Sequence, residues 1–163
     1  MAYDIYAASS PPLIHMLSGL NTILSKGEAH GGIDPNEARL APDMLPLKAQ
    51  VFIATDMAKG CGARLTGAEP PKYEDTETSF AELRARVAKT IAFLKTLDRK
   101  AFAGAEDKHI VLKFPTNTFE FNGADYLGKF VLPNVYFHIT TAYGILRTAG
   151  VTLSKGDYLS GEK

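Results

Sequence analysis

ADYLGKFVLPNVYFHITTAYGILRTA, residues 124–149, decides the fold. It is apolar on nearly every side, the pattern of a helix covered all round rather than lying on a surface. Its middle nevertheless holds Asn134, His138 and Thr141, spaced four and three residues apart. That spacing stacks them on one face of a helix. A polar line in such a place is hydrogen-bonded, binds something, or costs stability. Pro133 removes one backbone bond and predicts a bend one turn before His138. Asn122 and Asp125 offer an N-terminal cap, and Gly150 a stop.

The segment just upstream has a different period. Ile110, Leu112 and Phe114 alternate, as do Phe119 and Phe121, around Pro115-Thr116-Asn117-Thr118. This predicts a short β-hairpin, whose aromatic face must rest on helices to be stable. Residues 98–108 read as a polar connection. Further back, Ser79 and Glu82 form a capping box. Phe80, Leu83, Val87, Ile91, Leu94 and Leu97 form a helical stripe, with Arg84, Arg86, Lys89 and Lys95 largely off it. Leu47, Ala54 and Met57 give another helix, capped by Asp43, with Gln50 inserted in its apolar series, Gly60 and Gly62 weakening its end and residues 67–71, from Gly67 to Pro71, stopping it. A first helix spans about Pro11–Lys26, with Ser9 and Ser10 as its cap and Leu13, Leu17, Leu20 and Leu24 inside. Asp34-Pro-Asn-Glu suggests a short helical turn between the first two helices. Val151, Leu153, Tyr158 and Leu159 should pack a C-terminal tail.

Four long helices predict an all-α four-helix bundle with a short β-hairpin inserted before the last helix. The whole chain, residues 1–163, reads as a single domain. The connections between helices one and two, and two and three, are long enough for crossovers. A simple up-down-up-down order is not required.

Composition narrows the function. Lys+Arg and Asp+Glu balance at 18 each, against the basic excess of a nucleic-acid or anionic-membrane binder. No apolar run reaches the ~18 residues of a membrane span, and the N-terminus lacks a signal-peptide pattern. With Cys61 the single cysteine, no intrachain disulfide forms. These features predict a cytoplasmic protein.

Among chemistry-bearing residues, His138 stands out. Asn134 and His138 at i, i+4 could present two ligands to one metal. Gln50 could join them if its helix faces the last one. The competing readings are a hydrogen-bonded core patch, a small-molecule pocket and a metal site. His15, His30 and His109 read as solvated. Gly60-Cys61-Gly62 lacks the lysine of a phosphate loop. Glu74, Asp75 and Glu77 read as a solvated acidic approach to the third helix. Tyr126, Phe130, Phe137 and Tyr143 cover the other faces of the last helix. Either the hairpin and tail bury them, or they form a dimer interface.

Three runs carry a resemblance: LAPDMLPLKAQVFIATDMAKG (40–60), FAELRARVAKTIAFL (80–94) and LPNVYFHITTAYGILRTAGV (132–151). They resemble the bacterial domain-of-unknown-function family numbered 1993, within the DinB/YfiT-like superfamily. The resemblance implies a DinB-like bundle with crossover topology, often a homodimer. It also implies a divalent metal, zinc or nickel, held by three histidines, one on the second helix and two at H-x3-H spacing on the fourth. His138 matches the last of these, Asn134 falls on the first of the pair, and Gln50 is the nearest match to the helix-two histidine. Carboxamides are poor ligands for zinc or nickel. The expectation is therefore a degenerate metal site with His138 as its one remaining imidazole. Gln50, Asn134, His138 and Thr141 would then line a polar pocket for a small ligand. Two alternatives stand beside this: a metal-dependent hydrolase or thiol-dependent transferase, and a structural homodimer without catalysis.

Overall fold

The computed structural model describes residues 4–160. It is mostly helical: α1 (Ile5–His30), α2 (Leu47–Thr66), α3 (Phe80–Thr96), β1 (Ile110–Lys113), β2 (Thr118–Phe121), then α4 (Gly123–Asp125), a π-helical stretch (Tyr126–Val131), α5 (Leu132–Thr148) and α6 (Lys155–Tyr158). The last long helix is thus continuous through three segments, α, π and α. Among the described residues no helix is long and apolar enough to cross a membrane.

α1 starts well before the expected Pro11. Asp4, not Ser9 or Ser10, is the cap; its carboxylate accepts the Ala7 N–H at 2.9 Å. Ser9 lies within the helix and donates to the Ile5 carbonyl at 2.6 Å. Pro11 and Pro12 also sit inside the helix. Their missing N–H groups leave the carbonyls of Ala7 and Ala8 without helical partners. Those two residues are only partly buried, so water can serve them.

α2 is entered through Pro46 in an extended conformation, with Asp43 outside it. It runs through Gly60 and Gly62 and closes, as the 67–71 stretch predicts, on left-handed Gly67 at φ 82°. Gly62 has a packing role. A Cβ there would stand 2.5 Å from Leu97 Cδ1 and 2.9 Å from Leu94 Cδ2, so the glycine admits the end of α3. The Asp34 segment makes a turn rather than a helix, with the Asp34 carboxylate accepting the Asn36 N–H.

α3 carries the Ser79/Glu82 capping box in full. One of its residues is placed differently from the expectation. Arg86 is fully buried. Its guanidinium donates to Thr55 (2.7 Å), Asp56 (2.9 Å), Asp75 (2.6 Å) and Glu77 (3.2 Å). The rings of Phe52 and Tyr73 lie 4.5 and 4.7 Å from it. Asp75 and Glu77 are therefore not a merely solvated approach. They tie the 67–79 connection to α2 and α3 through one buried cation, and Asp75 adopts a positive φ of 54° to do so.

The 98–108 connection is less polar than expected. Two 3₁₀ turns, Arg99–Phe102 and Ala105–Asp107, bury Phe102 and Ala105. The hairpin pairs Ile110 with Phe121 and Leu112 with Phe119. Phe119 and Phe121 then meet Phe130, and Phe121 meets Tyr126, at ring-centroid distances of 5.6–6.4 Å. The π stretch lies immediately before Pro133. Leu132 N–H reaches five residues back to Leu127 O. In an α-helix the proline ring would press on the carbonyl four residues earlier. The wider turn relieves that contact without ending the helix.

α1 packs chiefly on α3, and α2 on α5; α2–α3 and α1–α5 contacts close the ring. Consecutive α1 and α2 thus stand diagonally, as do α3 and α5, which is a crossover topology. The tail returns to α1, where Gly19 meets the Tyr158 carbonyl and Lys26 pairs with Asp157 at 2.7 Å. Val151 and Leu153 are buried there, whereas Leu159, expected to pack, is exposed.

Candidate functional site

The α2–α5 contact brings two of the four candidate residues together. Gln50, 2% exposed, meets half-buried His138, with Gln50 Oε1 2.7 Å from His138 Nδ1. Gln50 Nε2 donates to the Leu45 carbonyl at 2.9 Å. That second bond fixes the amide's orientation and makes Oε1 an acceptor. His138 Nδ1 must therefore carry the proton, and Nε2 the lone pair. Burial pushes the His138 pKa below its ordinary value of 6.5, which favours the neutral ring.

The other two candidates turn to their own helix. Asn134 donates through Nδ2 to the Phe130 carbonyl at 2.7 Å. Phe130 lies four residues back, inside the π-helical stretch. Thr141 donates to the Phe137 carbonyl at 2.8 Å. The polar line is therefore a line of partly satisfied groups, with one cross-helix bond at its centre. None of these bonds joins Asn134 or Thr141 to Gln50.

Beside this line is an open groove of about 420 Å³, lined by Leu40, Pro133, Tyr136, Phe137, Thr140 and Thr141. The Phe137 ring stands edge-on to His138 at 5.2 Å and is 56% exposed. Leu40, Leu45 and Tyr136 are exposed as well. Of the five aromatic residues on the last helix, Tyr126 and Phe130 lie under the hairpin. Tyr143 is held by the tail, donating to the Leu153 carbonyl at 3.3 Å and meeting Tyr158 edge-on. Tyr136 and Phe137 are the two that stay exposed. A larger cavity, about 550 Å³, lies elsewhere, between the start of α1 and the π stretch. It is lined by Asp4, whose carboxylate takes the Ala7 N–H and Arg99, and by Glu106.

The donors at Gln50, Asn134 and His138 do not fit a zinc or nickel ion. Two are neutral amides, and the Gln50 oxygen is taken by the imidazole itself. Among the described residues no group of three His, Cys, Asp or Glu side chains is placed to hold a metal. The remaining candidates offer little chemistry. Cys61 is buried, and burial pushes its thiol up to about 12, far from a thiolate at neutral pH. His15 and His30 are exposed, and His109 meets Glu120 at 3.0 Å on the hairpin surface.

Comparison with known proteins agrees with this architecture. The family model described as "Domain of unknown function (DUF1993)" matches residues 5–159. A crystal structure of a DinB family member protein from Shewanella denitrificans is 38% identical, with a TM-score of 0.86 over 97% of this chain and 93% of that one. No curated protein matches significantly. The helical bundle, its inserted hairpin and these similarities together show that the chain belongs to the DUF1993 family and has the DinB fold.

Proposed function

We propose that the protein binds a small ligand in a polar pocket centred on His138, and that the site is a metal site in degenerate form. The observation that carries this reading is the Gln50–His138 bond at 2.7 Å, anchored in turn on the Leu45 carbonyl. It holds a neutral imidazole in one tautomer, with its second nitrogen turned away from Gln50. A ligand's hydrogen-bond donor would meet that nitrogen, while Asn134 and Thr141 extend the polar contacts along the same face. Catalysis by a metal-bound water needs an ion this donor set does not suit. Binding without turnover is the simpler use of the geometry, in a cytoplasmic protein that is one domain.

A metabolite panel screened by thermal shift tests the proposal. At least one compound should raise the Tm of the native protein and leave His138→Ala unaffected. A panel in which no compound separates the two proteins would contradict it.

A second reading, a homodimer, is favoured by the exposure of Phe137 among Leu40, Leu45 and Tyr136. Aromatic residues with this exposure are typical of interface centres. Sedimentation of native protein and Phe137→Ser tests it. A dimer that the substitution converts to monomer supports it, and a native monomer rules it out.

A further inference from the structure

We propose that the protein has a second binding site, separate from His138, for an organic amine that carries one positive charge on an apolar body. The site is the cavity of about 550 Å³ between the start of α1 and the π-helical stretch. Ile5, Ala8, Leu127 and Leu132 give it apolar walls, and Asp4 and Glu106 are its two charged groups. No basic side chain lines it, and it shares no residue with the groove beside Phe137. A mostly apolar cavity of this size with a few polar groups is the usual form of a small-molecule site. One wall is the π-helical stretch itself, through Leu127 and Gly128. π turns of this kind recur at functional sites. Gly128 keeps that wall open, since a Cβ there would meet nothing within 4 Å.

The two carboxylates are not equivalent. Asp4 caps α1 through the Ala7 N–H and pairs with Arg99 at 2.6 Å, so its charge is already answered. Glu106, on the 3₁₀ turn Ala105–Asp107, is exposed and takes no hydrogen bond or ion pair among the described residues. One uncompensated negative charge therefore stands at an apolar cavity. A ligand carboxylate is repelled there, and a neutral ligand covers Glu106 without answering it. An ammonium gains an ion pair while its apolar body leaves water. The number of charges is limited as well. A neighbouring cleft of about 280 Å³ shares Asp4, Ile5 and Glu106 and adds Arg99 and Lys100. A second positive charge reaching that side meets two cations, so the paired cavities select a monoamine over a diamine.

Probes of similar shape separate the charge states: phenethylamine, phenethyl alcohol, hydrocinnamate, free phenylalanine and xylylenediamine. Binding is read by ¹H–¹⁵N chemical-shift titration of native protein, Glu106→Gln and Gly128→Leu. Phenethylamine should shift the Ile5, Leu127 and Gly128 amides and bind about 3-fold more tightly than phenethyl alcohol, the gain of one exposed ion pair. Hydrocinnamate, free phenylalanine and xylylenediamine should bind more weakly than phenethylamine. Glu106→Gln should remove the amine's advantage over the alcohol, and Gly128→Leu should weaken both. Equal binding of amine and alcohol, an advantage that survives Glu106→Gln, or tighter binding of any other probe would overturn the ligand class. No shift at Ile5, Leu127 or Gly128 with any probe would overturn the site itself. Neither result bears on the His138 pocket, whose reporters are Gln50 and Thr141.

Discussion

Two side chains set the character of the contacts α2 makes, His138 from α5 and Arg86 from α3. Burial lowers the His138 pKa, so the folded chain resists protonation that the unfolded chain accepts. Below the unfolded value, about 6.5, the unfolded state binds more protons, and stability falls as pH drops towards the folded pKa. Above that window the penalty is absent. His138→Gln keeps a polar side chain but cannot titrate. Between pH 7 and 5 it should therefore lose less stability than native protein in urea titrations; equal losses would show that His138 is not disfavoured as a cation. Arg86 is the second case. Arg86→Met keeps much of the packing against Phe52 and Tyr73 but strands three carboxylates. Because Asp56 and Asp75 remain 39% and 50% exposed, water recovers part of their solvation. A loss near the lower end for a broken buried pair follows, about 3 kcal/mol by urea unfolding. A loss under about 0.5 kcal/mol would place Arg86 among ordinary surface pairs.

These residues also show what the sequence could and could not disclose. His138 was legible because a polar line on an apolar helix has few explanations. Gln50 was legible as an interruption in an apolar stripe. Arg86 was not, because an arginine off a stripe looks the same whether it faces water or a cage of carboxylates 9–30 residues away in sequence. The intrahelical bonds of Asn134 and Thr141 were equally hidden. Spacing puts them on one face but does not say whether each reaches across the bundle or back to its own backbone.

At the scale of elements, local signals worked where one residue type does one job. The Ser79 box starts α3 as read, and Ser79→Ala should cost about 1 kcal/mol with the loss confined to helix stability. A change near zero in thermal unfolding would mean that Glu82 alone carries the cap. Local signals failed for α1, where serine and proline resembled a helix start. The true cap, Asp4, precedes a run whose prolines the helix absorbs. They held at the end of α2, which closes on Gly67 as read, but gave no hint that Gly62 makes room for Leu94 and Leu97 at the end of α3. The tightest contact belongs to Gly123, where a Cβ would collide with the Ala105 carbonyl oxygen. Gly123→Ala should destabilise the junction of the 3₁₀ turn and the last helix by about 1–3 kcal/mol. A neutral result in chemical denaturation would show that the turn moves freely.

Across the whole molecule, the hydrophobic periods settled the fold class and the long connections allowed the crossover, but neither chose it. The ring order α1–α3–α2–α5 places α2 beside α5, and only that neighbourhood lets Gln50 reach His138 across 88 residues of sequence. The hairpin and tail then cover three of the five aromatic residues around the last helix and leave Tyr136 and Phe137 exposed. The account of the site reduces to one proton. Long-range ¹H–¹⁵N correlation of the His138 ring reports which nitrogen carries it. The geometry requires the proton on Nδ1 and an unprotonated Nε2 at neutral pH, with Gln50→Leu abolishing that preference. A native ring protonated on Nε2 would contradict the account.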